Sequence, residues 1–410
     1  MNTCKAYMKK KLLFVIPYLY EGGAQRALSN IQMNFPDDWE IETLVNSEYK
    51  KAFPFRGKIH SLGITEKPKT GSVLFQFRVF VLRILKLRKL KKSGNYAACI
   101  SFSDSASVAN ILSGNKYCKT IVSVRVSLSG SRDLPQYRYI VNPLARLMYG
   151  RADKVVAVSK ELEKELVTDF KLDKKKVVAI PNGYDLEKIK KLADEAIEPE
   201  VLNRITGKKI ICNVGRLSPQ KGQGHLIRAF QKVHDNIPDS VLLIAGEGPQ
   251  EQYLNDLIKQ LDLNDCVIML GHTENVYKYL NKSDLFVFPS LFEGFPNALA
   301  EAMCVGLPCI ASDFRTGARE IIAPDIMDKT EPVTKAIDCE YGILTPVCSG
   351  TEHSSYIPLE STESELSDAM IRVLTDKELS NQLEGKSVER SKILDIRNAI
   401  HKWIQVIYGE

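Results

Sequence analysis

The stretch from Asp284 to Ser312, DLFVFPSLFEGFPNALAEAMCVGLPCIAS, reads as strand, loop, helix and strand. LFVF is a short unbroken apolar run ending at Pro289, as expected of a strand buried on both faces. Asn297 is suited to cap a helix that Gly306 stops before Pro308, after which LPCIAS (307–312) restarts the apolar run. A strand that returns through a helix to another strand is the unit of a parallel sheet. The same rhythm runs upstream through KKIICNVG (208–215), SVLLIAGEG (240–248) and CVIMLG (266–271). Nearer the start it appears in KKLLFVIP (10–17), IETLVN (41–46), YAACISF (96–102), TIVSV (120–124), DKVVAVS (153–159) and KVVAIPN (176–182). The alternation predicts an α/β chain of two doubly wound, Rossmann-like domains. A turn signal at Pro181, Asn182 and Gly183, then a charged, apolar-poor stretch to Gly207, reads as a hinge. The expected domains are 1–182 and 183–410. The tail from Ser364 is helical by pattern, and its last helix, with Trp403 and Ile404, could pack back on the first domain. Residues 324–362 show no clear period.

Composition bounds the function. With 410 residues the chain exceeds what one core normally supports, and 44% hydrophobic with 26% charged residues excludes disordered and fibrous classes. Lys plus Arg is 56 against Asp plus Glu 50, and a net charge of +6 is too small to imply nucleic-acid binding. The 9 cysteines are an odd number without a C-x-x-C pair, which reads as reduced thiols in the cytosol. Lys9 to Lys11 before an apolar run imitate a signal peptide, but Pro17 interrupts the run and Glu21 follows it, so a first buried strand is the better reading.

Ligands of open α/β sheets bind beyond the carboxyl ends of the strands. The helix start at Asn297, Ala298 and Leu299 offers free amides and a positive dipole end to an anion such as a phosphate. Glu293 and Gly294 lie in the loop before it, and Glu301 about one turn into the helix, so both carboxylates can line one cavity. Alternatively, Glu301 only favours its helix start and Glu293 is solvated. After KKIICNVG, the loop RLSPQKG brings Arg216 and Lys221, two cations that suit a diphosphate or, more plainly, a solvated loop. AGEGPQ (245–250) contributes Gly246, Glu247 and Gly248, with glycines that permit close backbone approach. Near the start, Gly22 and Gly23 precede a helix and can face a phosphate; this is no dinucleotide fingerprint, because position 27 is Ala27.

As an ordered set, GGAQRALSN, VGRLSPQKGQGHLIRAF, AGEGPQ and the E-x7-E element EGFPNALAE resemble the GT4-type retaining glycosyltransferases of GT-B fold, from about residue 11 to 322. GGAQRALSN, SFSDSASVANIL and REII resemble bacterial members that build surface polysaccharides on a polyprenyl-diphosphate lipid. The resemblance implies two Rossmann-like domains facing each other across a deep cleft, acceptor-binding first and donor-binding second. It makes Arg216 and Lys221 the diphosphate pair, Glu301 the carboxylate on the ribose and Glu293 the one at the donor sugar. Gly22, Gly23, Gly246, Glu247, Gly294, Asn297, Ala298 and Leu299 then line the donor. Where members often carry a histidine near the sugar, SVRVS offers Arg125, an expected acceptor-phosphate contact.

The expected activity is that of a hexosyltransferase, moving a hexose or N-acetylhexosamine from a UDP-sugar to a lipid-linked saccharide in O-antigen, capsule or exopolysaccharide synthesis. No D-x-D occurs, and His and Cys are not clustered along the sequence, so no metal or other cofactor is expected. The segment 72–94, apolar first and then rich in Arg83, Lys86, Arg88, Lys89, Lys91 and Lys92, is expected to touch an anionic membrane, placing the protein peripherally on the cytoplasmic face. The alternative is a surface helix with a solvated basic end. A sugar-nucleotide epimerase of the same fold, a nicotinamide dehydrogenase, a non-catalytic scaffold and transfer to a soluble or protein acceptor are the competing functions.

Overall fold

A computed structural model describes residues 10–20, 22–48, 51–64, 72–129, 137–314 and 317–409. The chain divides into two units, Met1–Gly183 with Ile396–Glu410, and Tyr184–Asp395.

The first unit holds β1 (Lys11–Val15), β2 (Glu40–Val45), β3 (Lys58–Ser61), β4 (Ala98–Phe102), β5 (Lys119–Val124), β6 (Lys154–Ala157) and β7 (Val177–Ala179). All neighbours run parallel, in the order β3-β2-β1-β4-β5-β6-β7. Leu12 to Val15 are fully buried because helices cover both faces of a parallel sheet. The helix Ile396–Tyr408 belongs to this unit: Ile396, Ile400, Trp403 and Ile407 join the core with Leu12, Phe14 and Phe102.

The second unit repeats the plan with β8 (Lys209–Val214), β9 (Ser240–Ala245), β10 (Val267–Gly271), β11 (Leu285–Phe288), β12 (Cys309–Ser312), β13 (Ile337–Asp338) and β14 (Ile343–Thr345). Their order is β10-β9-β8-β11-β12-β14-β13, with only β13 antiparallel. Strand order reverses between β1 and β4 in one sheet and between β8 and β11 in the other, which marks each sheet's switch point for ligand binding.

Three stretches gain detail from the structure. The stretch after Gly183 folds into helices Leu186–Ala193 and Pro199–Ile205, which bury Ile189, Ala193 and Ile205. Segment 324–362 contributes β13 and β14, too short to show a period. Segment 72–94 is one helix, Val73–Ser93, but two of its basic residues face inward. Val79, Arg83, Leu87 and Lys91 form the buried stripe at four-residue spacing. Arg83 donates to Asn46 Oδ1 at 3.0 and 2.9 Å, and Lys91 to the carbonyls of Asn110 and Gly114 and to Thr120 Oγ1. None of the described helices is long and apolar enough to cross a membrane.

Candidate active site

The β8/β11 ladder is short. Leu285 pairs with Ile211 and Phe286 with Cys212, and beyond them the Asn213 side chain takes over, donating to Val287 O at 2.8 Å. The loops that leave these two strand ends carry the charged residues singled out above.

After β8 the chain passes Gly215, Arg216 and Leu217, makes one tight turn at Pro219–Lys221 and enters helix Gln223–Asn236 through Gly222, at φ 67°. A Cβ on Gly222 would lie 2.3 Å from Pro289 O, so only glycine lets this backbone press against the loop after β11. The loops are also stitched together, Leu291 N donating to Gln220 O at 2.8 Å and Gln220 Nε2 to Phe292 O at 2.7 Å. That stitching brings Lys221 Nζ to 2.6 Å from Glu293 Oε1 and 5.0 Å from the centre of the Phe288 ring. The pair is largely enclosed, with side-chain exposures of 20% and 11%. A lysine ammonium has three donors, so Lys221 can hold Glu293 and still offer hydrogen bonds to an anion.

The glycines of AGEGPQ serve the same assembly. A Cβ on Gly246 would fall 1.9 Å from Gly215 O, and one on Gly248 2.2 Å from Leu217 O. Leu217 N donates to Glu247 O at 3.0 Å. The approach they permit is therefore to the neighbouring loop. Arg216 is exposed, and its guanidinium has no partner among the described residues. Its carbonyl accepts from Gln223 Nε2 at 3.2 Å.

Helix Asn297–Cys304 starts without a side-chain cap, which corrects the expected role of Asn297. Asn297 is the first helical residue, and its Oδ1 accepts from the Tyr184 hydroxyl at 2.8 Å. No backbone carbonyl among the described residues accepts from the amides of Ala298 and Leu299, the donors a bound anion would use. Glu301 is buried one turn further along, on the face of Asn297. Sequence reasoning missed Gln223, Asn213 and Ser290. All three are buried, and Gln223 Oε1, Asn213 Oδ1 and Ser290 Oγ lack partners among the described residues, as polar atoms awaiting a ligand or water do. Their positions at strand ends and helix starts are the signal that would have found them.

In the first unit, Gly22 and Gly23 are exposed where helix Gly23–Asn34 begins, again without a side-chain cap. Arg125, at the end of β5, donates to Asn182 Oδ1 and lies 5.5 Å over the Phe102 ring, so its guanidinium is held inside its own unit. At the end of β4, Ser103 has φ 101°, an unfavourable backbone for serine, and Tyr149 donates to Asp104 Oδ1 at 3.0 Å. Burial raises the Asp104 carboxyl above the usual carboxylate range.

Comparison with known proteins gives the family and the fold. The family described as "Glycosyltransferase Family 4" matches residues 48–188, and "Glycosyl transferases group 1" matches residues 194–330. An uncharacterised glycosyltransferase of Methanocaldococcus jannaschii is 32% identical over 84% of this chain and 86% of its own. The N-acetylgalactosamine-N,N'-diacetylbacillosaminyl-diphospho-undecaprenol 4-alpha-N-acetylgalactosaminyltransferase of Campylobacter jejuni is 28% identical over 94% of this chain and 96% of its own. Among solved structures, Anabaena HepE in complex with UDP and glucose superimposes with a TM-score of 0.73 at 18% identity, covering 98% of this chain and 100% of that one. The chain belongs to the GT4-type glycosyltransferases and has their GT-B fold.

Proposed function

We propose that this enzyme transfers a hexose or N-acetylhexosamine from a UDP-sugar, with retention at the anomeric carbon, to a polyprenyl-diphosphate-linked saccharide in surface-glycan synthesis. The observation that carries the reading is the Lys221–Glu293 pair on two stitched loops at the switch point of the second sheet. Breaking the sugar–phosphate bond leaves negative charge on the departing UDP. Arg216, the remaining donors of Lys221 and the amides of Ala298 and Leu299 stabilise that charge as it develops. Glu301 accepts from the ribose hydroxyls, and Glu293 holds the donor sugar near its reacting carbon. The leaving phosphate takes the acceptor proton, so the step requires no protein nucleophile, and with Arg216 and Lys221 neutralising the diphosphate it requires no metal.

The names of the relatives support a lipid-linked acceptor. The Campylobacter protein's name includes diphospho-undecaprenol, as does that of an Escherichia coli galactosyltransferase, 33% identical over 39% of this chain. Helix Val73–Ser93 supports work at a cytoplasmic membrane face. Leu74, Phe77 and Leu85 are exposed, and at helical spacing they continue into exposed Arg88 and Lys92, an apolar-then-basic stripe suited to an anionic leaflet.

A thermal-shift screen against nucleotide sugars, followed by NMR of the product's anomeric configuration, tests this reading. A UDP-sugar at 100 times its dissociation constant should stabilise by about 2.7 kcal/mol. An inverted product, or a donor epimerised with no acceptor present, would overturn it.

A further inference from the structure

Segment 346–360, which follows β14, is fastened to helix Gln223–Asn236. Arg228 of that helix donates to the carbonyls of Ser354, Ile357 and Pro358, and Tyr253 of the next helix, Glu251–Gln260, donates to that of His353. At this seam His225, Cys348 and Glu360 bring a nitrogen, a sulfur and a carboxylate oxygen within 4.8 Å of one another, the one such grouping among the described residues. His225 and Cys348 are both buried. His225 Nδ1 lies 2.8 Å from Oε1 of the fully buried Glu363, which Arg228 grips at 2.9 Å. A carboxylate on one ring nitrogen fixes the imidazole and leaves the other free to coordinate, the usual support behind a metal-bound histidine. His353 is also at hand, its Nε2 2.6 Å from Glu360 Oε1 and its ring centre 6.0 Å from that of His225. A thiol, imidazoles and one carboxylate are zinc ligands, whereas magnesium and calcium take oxygen.

We propose that His225, Cys348 and Glu360, completed by His353, bind a structural zinc ion that clamps segment 346–360 to the helix following the Lys221 loop. Binding displaces the Cys348 thiol proton to solvent. Without metal, Glu360 is a helix cap that accepts from Ser349, His353 and Thr362, so the competing account is a hydrogen-bonded network complete in itself.

The full-length protein, purified without chelator and desalted, is assayed for metal by mass spectrometry, then stripped and titrated with Zn²⁺ and Co²⁺. The site predicts about one zinc per chain and a thiolate-to-cobalt charge-transfer band. Cys348→Ser should abolish the band, Cys339→Ser should keep it, and Glu363→Gln should weaken zinc binding by about 10- to 100-fold. A wild-type cobalt spectrum without the thiolate band overturns the proposal, and does so even where a variant fails to fold. So does zinc retention by folded Cys348→Ser equal to that of wild type.

Discussion

Lys221 Nζ sits 2.6 Å from Glu293 Oε1, although 72 residues separate the two in the chain. The ammonium proposed to meet the donor phosphate and the carboxylate proposed to meet the sugar therefore form one hydrogen-bonded unit. Groups that act as a unit give non-additive mutational effects. Lys221→Ala and Glu293→Gln should each lower kcat/KM by about 10²- to 10³-fold, and the double variant should fall far short of the product of the two losses. Steady-state kinetics on the four proteins checks this, and simple multiplication of the losses would mean that the two side chains act separately.

Gly222 should tolerate no side chain. At φ 67°, with a Cβ site 2.3 Å from Pro289 O, alanine must push apart the loops that bring Lys221 to Glu293. Gly222→Ala should cost about 1–3 kcal/mol in urea unfolding and weaken UDP-sugar binding. Gly207→Ala is the control, because that glycine also has positive φ but nothing within 4 Å of its Cβ site. It should lose stability without losing donor affinity.

Helix Val73–Ser93 separates its basic residues by role. Arg83→Met leaves Asn46 Oδ1 without its donor and should destabilise by about 1–3 kcal/mol. Replacing the exposed Arg88, Lys89 and Lys92 by Gln should leave the urea midpoint nearly unchanged. Affinity for anionic vesicles should fall roughly 100-fold at low salt, at about 1 kcal/mol per charge. Unaltered vesicle affinity in the triple variant would remove the membrane face from this helix.

Acid should weaken the first unit through Glu42. Burial pushes its carboxyl up, but hydrogen bonds from Tyr96, His60 and Lys11 outweigh that and bring it down to about 2. A carboxyl lower in the folded than in the unfolded chain contributes stability that is complete above the unfolded value, about 4.3, and is lost as pH falls towards 2. Urea midpoints of the wild type should decline across that window. Glu42→Gln should be less stable at neutral pH and show a shallower acid decline; an unchanged slope would mean that Glu42 does not carry the effect.

The sequence alone determined the two doubly wound units, because short apolar runs ending in turn residues and separated by helical spacing have few other ways to be buried. It also singled out Arg216, Lys221, Glu293 and Glu301 as candidates, because they are charged residues just beyond strand ends and stand in motifs that resemble a known family's. Pairing was decided only by the tertiary structure. Nothing local shows that Gly222 lies against Pro289, that Gly246 presses on Gly215, or that Arg83 and Lys91 turn inward to buried acceptors. Nor does spacing reveal His225 beside Cys348 and Glu360, or that the last helix, Ile396–Tyr408, whose return to the first domain the sequence left as one option, sets Trp403 among Leu12, Phe14 and Phe102. Local pattern records which residues must leave water. Which of them meet is fixed by long-range packing, where strand order and loop-to-loop hydrogen bonds, absent from any short window of sequence, select the partners.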